Sequence, residues 1–360
     1  MTQSRRWKCD YILLCALGMI ILSGLVILYS TSSYNGEIKF GDTCYYLKKQ
    51  AFATLLGIAG MWVIANIDYH VWRRGAVAGY ILSVLLGVAV LLIGDEYNGS
   101  KRWLSLGPFS FQPSEFAKVA VIVFLTDRII RNAKKMGKIT MVGKIVLSVL
   151  PVVGLVGANN LSTAIIILGI AGGLVFVASP KYGQFLIMIL LGCAFMGVFL
   201  AMESYRLERL QIWRHPENYE KGYQTLQGLY AIGSGGLFGN GLGNSIQKLG
   251  FVPEAQNDMI FSIICEELGL VGAAGILILF LILIWRFFVI AAHAPDLEGT
   301  LIATGAMIHM MIQVILNIAV VTNTIPNTGI TLPFISYGGT SVMFLLFEMG
   351  LVLNVSSLVK

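Results

Sequence analysis

Stretches of 15 to 20 residues without a single charged side chain recur along this chain, at 11–30, 75–94, 161–178, 185–202 and 271–285. Such a segment satisfies its backbone polar groups internally by coiling into a helix, and at about 1.5 Å per residue it is long enough to cross a bilayer. Charged residues make up 12% of the chain, against about 25% in soluble domains. The dyad alternation of a transmembrane β-barrel is absent. The chain therefore reads as all-α, a polytopic integral membrane protein in one domain spanning residues 1–360. About ten transmembrane helices are expected, near 11–31, 50–67, 75–94, 113–126, 144–158, 161–178, 183–202, 258–285, 299–322 and 337–357. The opening run has the basic start of a signal peptide, but its apolar part is too long and no small-residue cleavage site follows. It counts as the first span.

The net charge of +6 would suit a nucleic-acid binder, but its distribution does not. The densest basic run, "DRIIRNAKKMGK" at 127–138, is a short loop between two apolar segments. That is the mark of a cytoplasmic loop, so no nucleic-acid partner is expected. Arg5, Arg6, Lys8, Arg73, Arg74, Lys181, Arg286 and Lys360 fall on the same side if both termini are cytoplasmic. Two loops then lie outside: a short one at 94–112 and a long one at about 203–257, between spans seven and eight. The long loop carries "AIGSGGLFGNGLGNS", which lacks the pattern of a P-loop or a Rossmann turn. It reads either as a set of tight turns or as a nest of backbone amides for an anion.

The five cysteines are scattered and odd in number, and the four histidines stand apart, so neither a disulfide framework nor a metal site is indicated. His309 reads as a satisfied polar residue inside a helix bundle.

Carboxylates and cations at the outer membrane boundary carry the chemistry. "FQPSEFAKVAVIVFL" sets Glu115 and Lys118 three residues apart in the first turns of an apolar span, where an ionisable group needs a partner or a function. "PEAQNDMIFSIICEELGLVG" places Glu254, Asp258, Ser262 and Glu266 at helical intervals of four, on one stripe if the segment is helical throughout. Pro253 would open that helix and Asp258 would lie one turn in, at the water–hydrocarbon boundary. Partial desolvation there raises a carboxyl from about 3.9 toward the working range of a general base. Glu266 and Glu267, deeper still, are expected to bond within the bundle. Arg102, Lys118, Arg206, Arg209 and Lys248 together could surround a dianionic group. An acid beside basic residues at an outer membrane face suits a polyprenyl-diphosphate-linked sugar. The residues by themselves leave open a membrane enzyme or a transporter for such a lipid.

Three long motifs go further: "YNGSKRWLSLGPFSFQPSEFAK", "GYQTLQGLYAIGSGGLFGNGLGNSIQKLGFVPEAQNDMIFSIICEELGLVGA" and "IPNTGITLPFISYGGTS". Together they resemble the SEDS family (shape, elongation, division, sporulation), and "GLGNSIQKLGFVPEA" looks more like its FtsW branch, sporulation relatives included, than like RodA. The resemblance implies a GT-C-like membrane bundle in the bacterial cytoplasmic membrane that polymerises lipid II into glycan, inverting an undecaprenyl-diphosphate-linked donor. It further implies a class B penicillin-binding protein (a transpeptidase) and other divisome proteins as partners. The family's essential acid maps onto Asp258, and its other charged positions onto Arg102, Glu115, Lys118 and Glu254. Arg102 and Lys118 would then stabilise pyrophosphate charge, with Arg209 and Lys248 as weaker candidates, while Glu115 and Glu254 orient the cations or bind sugar. A divalent cation on the pyrophosphate is compatible with this chemistry, though no dedicated ligand set is visible. A flippase or a non-catalytic divisome scaffold are the alternatives. Two departures stand out: Gln256, Asn257 and Met259 flank Asp258 where the family often has other residues, and Asn160 replaces an acid.

Overall fold

The computed structural model describes residues 10–97, 100–106, 109–181, 183–186, 192 and 211–359. Twelve helices of six residues or more account for most of the described residues. They are α1 (Tyr11–Phe40), α2 (Tyr45–Asn66), α3 (Tyr69–Arg74), α4 (Ala76–Ile93), α5 (Pro113–Arg131) and α6 (Ile139–Leu147). There follow α7 (Leu150–Asn159), α8 (Leu161–Ala178), α9 (Tyr223–Ser234), α10 (Ile260–Ala292), α11 (Leu297–Val321) and α12 (Gly339–Ser357). Six of the described helices, α1, α4, α8, α10, α11 and α12, are each long and apolar enough to cross a membrane. The pair α6 and α7, bent by 43°, adds a seventh crossing if taken as one span. α2 and α5 are long enough but less apolar or more charged. The expected span at 183–202 lies almost wholly outside the described residues.

One departure from an all-α chain is a small antiparallel meander of β1 (Asp95–Tyr97), β2 (Ser100–Leu106) and β3 (Phe109–Phe111), within the short 94–112 loop. Leu104 faces Phe111 and Ser105 faces Ser110 in its register. Apolar and polar residues alternate through "LSL" and "FSF", which favours a pleated strand over a helix.

Two buried apolar clusters form the interior. One gathers α1, α10, α11 and α12, with residues such as Leu17, Ile20, Phe280, Met310 and Leu346. The other gathers α5 to α8, with Val121, Leu125, Ile145, Ile167 and Leu174. α11 supplies side chains to both, Met310 to the first and Leu301 and Ile308 to the second. α11 is therefore the central helix, and its polar residues cannot avoid the interior.

The helices run antiparallel, so their ends collect at two faces. At one face Arg73 bonds Glu298 (2.8 Å) and Arg286 pairs with the α1 cap Asp10 (2.5 Å). At the other face stand the starts of α5 and α10 and the end of α11. Asp258, just ahead of α10, lies at that second face.

α10 breaks at Gly269, whose φ of 66° and ψ of −169° leave the helix. The break frees backbone groups, and the glycine-rich loop takes them. The amides of Asn240 and Gly241 donate to the carbonyls of Glu266 (2.9 Å) and Glu267 (3.0 Å), while Leu270 and Val271 donate to those of Gly236 (3.0 Å) and Leu237 (3.1 Å). A Cβ at residue 269 would run into Gly239 and Leu237 backbone atoms, so this close crossing requires glycine.

Candidate active site

The helix expected from Pro253 does not form there. Residues 251–259 are turns, Glu254 adopts a left-handed φ of 49°, and α10 begins at Ile260. Glu254 and Asp258 therefore do not share a stripe with Ser262 and Glu266. A non-glycine residue in that conformation costs about 1–2 kcal/mol. Asn257 offsets it by closing the turn, its main-chain N–H bonding the Glu254 carbonyl (2.9 Å) and its side chain the Glu254 carboxylate (2.8 Å). The turn holds Asp258 short of the membrane-spanning helix, with its side chain half-buried.

Asp258 is held from two sides. Gln224, on α9, donates its Nε2 to Asp258 Oδ1 (3.3 Å) and to the Pro253 carbonyl (3.3 Å). Asn317, on α11, donates to the Asp258 main-chain oxygen (2.8 Å). Gln224 Oε1 in turn accepts from Asn327 Nδ2 (3.3 Å), and Asn327 Oδ1 accepts from the Gly329 amide (3.0 Å). These bonds bring the 327–331 segment against the Asp258 turn.

Arg102 approaches from β2. Asp95 pairs with Trp103 but Glu96 pairs with Lys101, so Arg102 is the extra residue of a β-bulge. A bulge turns its side chain out of the strand's alternation, a device common beside functional sites. The guanidinium is steadied by its Nε bond to the Asn159 carbonyl (2.9 Å) at the end of α7. Its Nη1 and Asp258 Oδ2 converge on one point: a Cβ built on Gly329 would lie 3.8 Å from the first and 3.9 Å from the second. Gly329 itself sits at φ 70°. The site is thus a notch at which a carboxylate and a guanidinium both approach a bare glycine.

Burial pushes the Asp258 carboxyl up to about 6, and the neighbouring Glu254 carboxylate adds to the rise, while backbone amides and Gln224 oppose it. An ionised acid of that strength accepts a proton near neutral pH.

The other expected residues fall into different settings. Glu115 and Lys118 pair at 3.0 Å and are both buried, with Lys118 1% exposed and its ammonium also bonded to Gln313 Oε1 (3.1 Å). Gln313 Oε1 meets His309 Nε2 (3.0 Å), and His309 Nδ1 meets Glu348 Oε2 (2.7 Å), so five polar residues form one buried chain across α5, α11 and α12. Lys118 thus faces the bundle interior and not an open anion site. Lys248 is placed within the bundle: its buried ammonium bonds Glu267 (2.6 Å) and Ser30 (2.9 Å). Glu266 and Glu267 bond within the bundle as expected, Glu266 accepting from the Ile246 amide (3.0 Å) and from Ser245. The glycine-rich segment forms tight turns whose Asn240 and Gly241 amides bond α10, not an anion nest. Arg206 and Arg209 lie outside the described residues. Among the described residues no cluster of His, Cys, Asp and Glu is arranged to hold a metal ion.

Gln224, Asn317, Asn327 and Gly329 escaped the sequence reading. A signal existed for one pair: Gln313 and Asn317 follow His309 at intervals of four in an otherwise apolar span, which marks a polar face. Nothing local distinguishes Gln224.

Comparison with known proteins identifies the family and the fold. The family model for cell cycle proteins, named for FtsW, RodA and SpoVE, matches residues 10–360. Stage V sporulation protein E of Bacillus subtilis is 39% identical, over 98% of both chains. A probable peptidoglycan glycosyltransferase FtsW of Trichlorobacter lovleyi is 36% identical, over 98% of this chain and 94% of that one. Among solved structures, a chain of a peptidoglycan synthase complex that coordinates polymerization and crosslinking superposes with a TM-score of 0.81 at 28% identity, covering 97% of this chain and 98% of that one. The rod shape determining protein RodA of Thermus thermophilus superposes at 0.70, also with 28% identity, covering 98% and 97%. A family model that matches residues 10–360, with relatives 36% and 39% identical over nearly their whole length, makes this chain a member of the FtsW, RodA and SpoVE family of cell cycle proteins.

Proposed function

We propose that the protein is a peptidoglycan glycosyltransferase that polymerises lipid II at the outer face of the bacterial cytoplasmic membrane, in division or a related wall-building process. The observation that carries this is the notch itself, a proton-accepting carboxylate and a guanidinium converging over Gly329. Asp258 takes the proton of the acceptor sugar hydroxyl as its oxygen bonds the donor's anomeric carbon. The bond from that carbon to the pyrophosphate oxygen breaks, with inversion, and undecaprenyl diphosphate leaves with the electron pair. Arg102 faces the charge that develops on the leaving oxygen. Glu254, beside Asp258, keeps the acid's proton affinity high, and Glu115 with Lys118 belongs to the framework behind the notch.

An arrangement of about ten spans with both termini cytoplasmic puts the notch outside, since Arg73, Arg286 and the 127–138 loop gather at the opposite face. With the native cysteines removed, a cysteine at Glu217 should label from outside and one at Lys135 should not; the reverse pattern inverts the topology. The proposed partner is a class B penicillin-binding protein, in keeping with the solved complex that this fold resembles.

The buried chain Glu115–Lys118–Gln313–His309–Glu348 favours a second reading, a flippase for the same lipid, because transporters place ionisable residues in this way. Purified protein, alone and with its transpeptidase, supplied with lipid II decides between them. Glycan chains that vanish with Asp258→Asn support the polymerase, whereas lipid II crossing vesicles without chain growth supports the flippase.

A further inference from the structure

Asn317 is fully buried at the outer end of α11 and its carboxamide has a single orientation. Nδ2 donates both of its hydrogens, one to the Asp258 main-chain oxygen (2.8 Å) and one to the Ile330 carbonyl (2.7 Å). Rotating the amide would press Oδ1 against two carbonyl oxygens, so the hydrogen-bond pattern itself assigns the nitrogen. Oδ1 has no partner. An unsatisfied buried amide oxygen is unfavourable, and a residue kept for packing alone would be better as leucine. One turn earlier Gln313 donates to the next carbonyl, that of Thr331 (3.2 Å). α11 therefore grips consecutive carbonyls of the segment that carries Gly329, and with the same Asn317 amide it grips the turn that carries Asp258.

We infer that Asn317 is a positioning residue for glycosyl transfer, a cross-brace that sets where the Asp258 carboxylate stands relative to Gly329 and Arg102. Asn317 touches neither the carboxylate nor the notch opening. It acts through two main-chain oxygens, one on each wall of the site. Without the brace the two segments remain tied through Gln224 and Asn327, whose bonds are longer (3.3 Å each). The bundle should then persist while the notch loosens. A displacement of about 1 Å at a reacting group costs on the order of 100-fold in rate.

This inference rests on Asp258 being the base. The test uses the full-length protein with its transpeptidase, in Asn317→Ala and in Asn317→Leu, the second chosen to avoid a cavity. Polymerisation of lipid II is followed against substrate concentration and pH. The expected result is kcat lower by about 10- to 100-fold, KM within about threefold, and a displaced midpoint in the pH profile. In an Asp258→Asn background the same substitution should reduce the residual rate by less than about twofold, because two groups acting as one unit are not additive. Parental kcat in a folded Asn317→Leu protein, or an equal loss in both backgrounds, overturns the inference and leaves the Asp258 assignment standing. Failure of both variants to fold assigns Asn317 to stability and also overturns it. Full activity of Asp258→Asn alone removes the assignment on which it rests.

Discussion

Arg102 Nη1 and Asp258 Oδ2 approach the same point at Gly329, 3.8 and 3.9 Å from the position a Cβ would take there. They come from residues more than 150 positions apart, one on a strand bulge and one on a turn. A side chain longer than one carbon at residue 329 would reach into the space beside both groups.

Gly329→Val should therefore abolish polymerisation. A first carbon atom would make ordinary contact with both groups, but branches beyond it would occupy the notch, and a φ of 70° costs a β-branched residue about 1–2 kcal/mol or more. The expected fall is at least about 100-fold, comparable to losing an oriented charge from the site. Glycan assays set beside thermal melts separate this from unfolding. Parental turnover would place the chemistry elsewhere.

The pH profile follows from Asp258. Its carboxyl titrates at about 6, above the ordinary aspartate range, and only the ionised form accepts a proton. Activity should fall about tenfold per pH unit below the midpoint and level off above it. Glu254→Gln removes one cause of the rise, so the midpoint should move down. Stability carries the opposite sign: the folded state binds the proton more tightly than the unfolded chain, so Asp258 makes the fold less stable as pH rises from about 4 to 6. Asp258→Asn should lower the rate by about two to four orders of magnitude, yet melt above the parent at pH 7. A profile without a break between pH 5 and 7 argues against this base.

Lys248 is assigned to the fold and not to substrate. Lys248→Met leaves Glu267 charged, buried and without its cation, a loss of about 3–5 kcal/mol. Pairing it with Glu267→Gln should recover much of that stability. Binding of lipid II by whatever fraction remains folded should match the parent. A folded Lys248→Met protein with weakened substrate binding would return this lysine to the site.

The outward face of α10 is the proposed seat of the transpeptidase's membrane helix. Gly275 has open space where its Cβ would be, with Ile278 and Leu281 exposed beside it. A Cβ at Gly272 instead collides with Leu268 of the same helix. Gly275→Leu is thus the clean probe, because small residues let helices approach closely in a bilayer. Co-purification with the class B penicillin-binding protein should drop while the fold is retained. Undiminished capture would mean that the partner docks on another face.

Much of this protein is determined locally. Runs of apolar residues dictate helices in a bilayer whatever surrounds them, so α1, α4, α8, α10, α11 and α12 fall where the sequence places them. Asp258, Arg102 and the Glu115–Lys118 pair are visible too, because charge is costly in such a chain and must be explained. Geometry between segments is another matter. The spacing of Glu254, Asp258, Ser262 and Glu266 suggests a helical stripe, but the Glu254–Asn257 turn and the contacts of Gln224 and Asn317 hold the segment out of the helix. The basic residues expected to gather around one anion are separated by their buried partners, Lys248 to Glu267 and Lys118 to Glu115 and Gln313. Pairing of this kind is settled by which helices meet, since a buried ammonium takes the nearest carboxylate at the moment both lose water. The sheet bulge that aims Arg102, the bare floor at Gly329 and the brace at Asn317 have no signature in any one segment. They arise where three distant segments converge, and their distances exist only once the helices have packed.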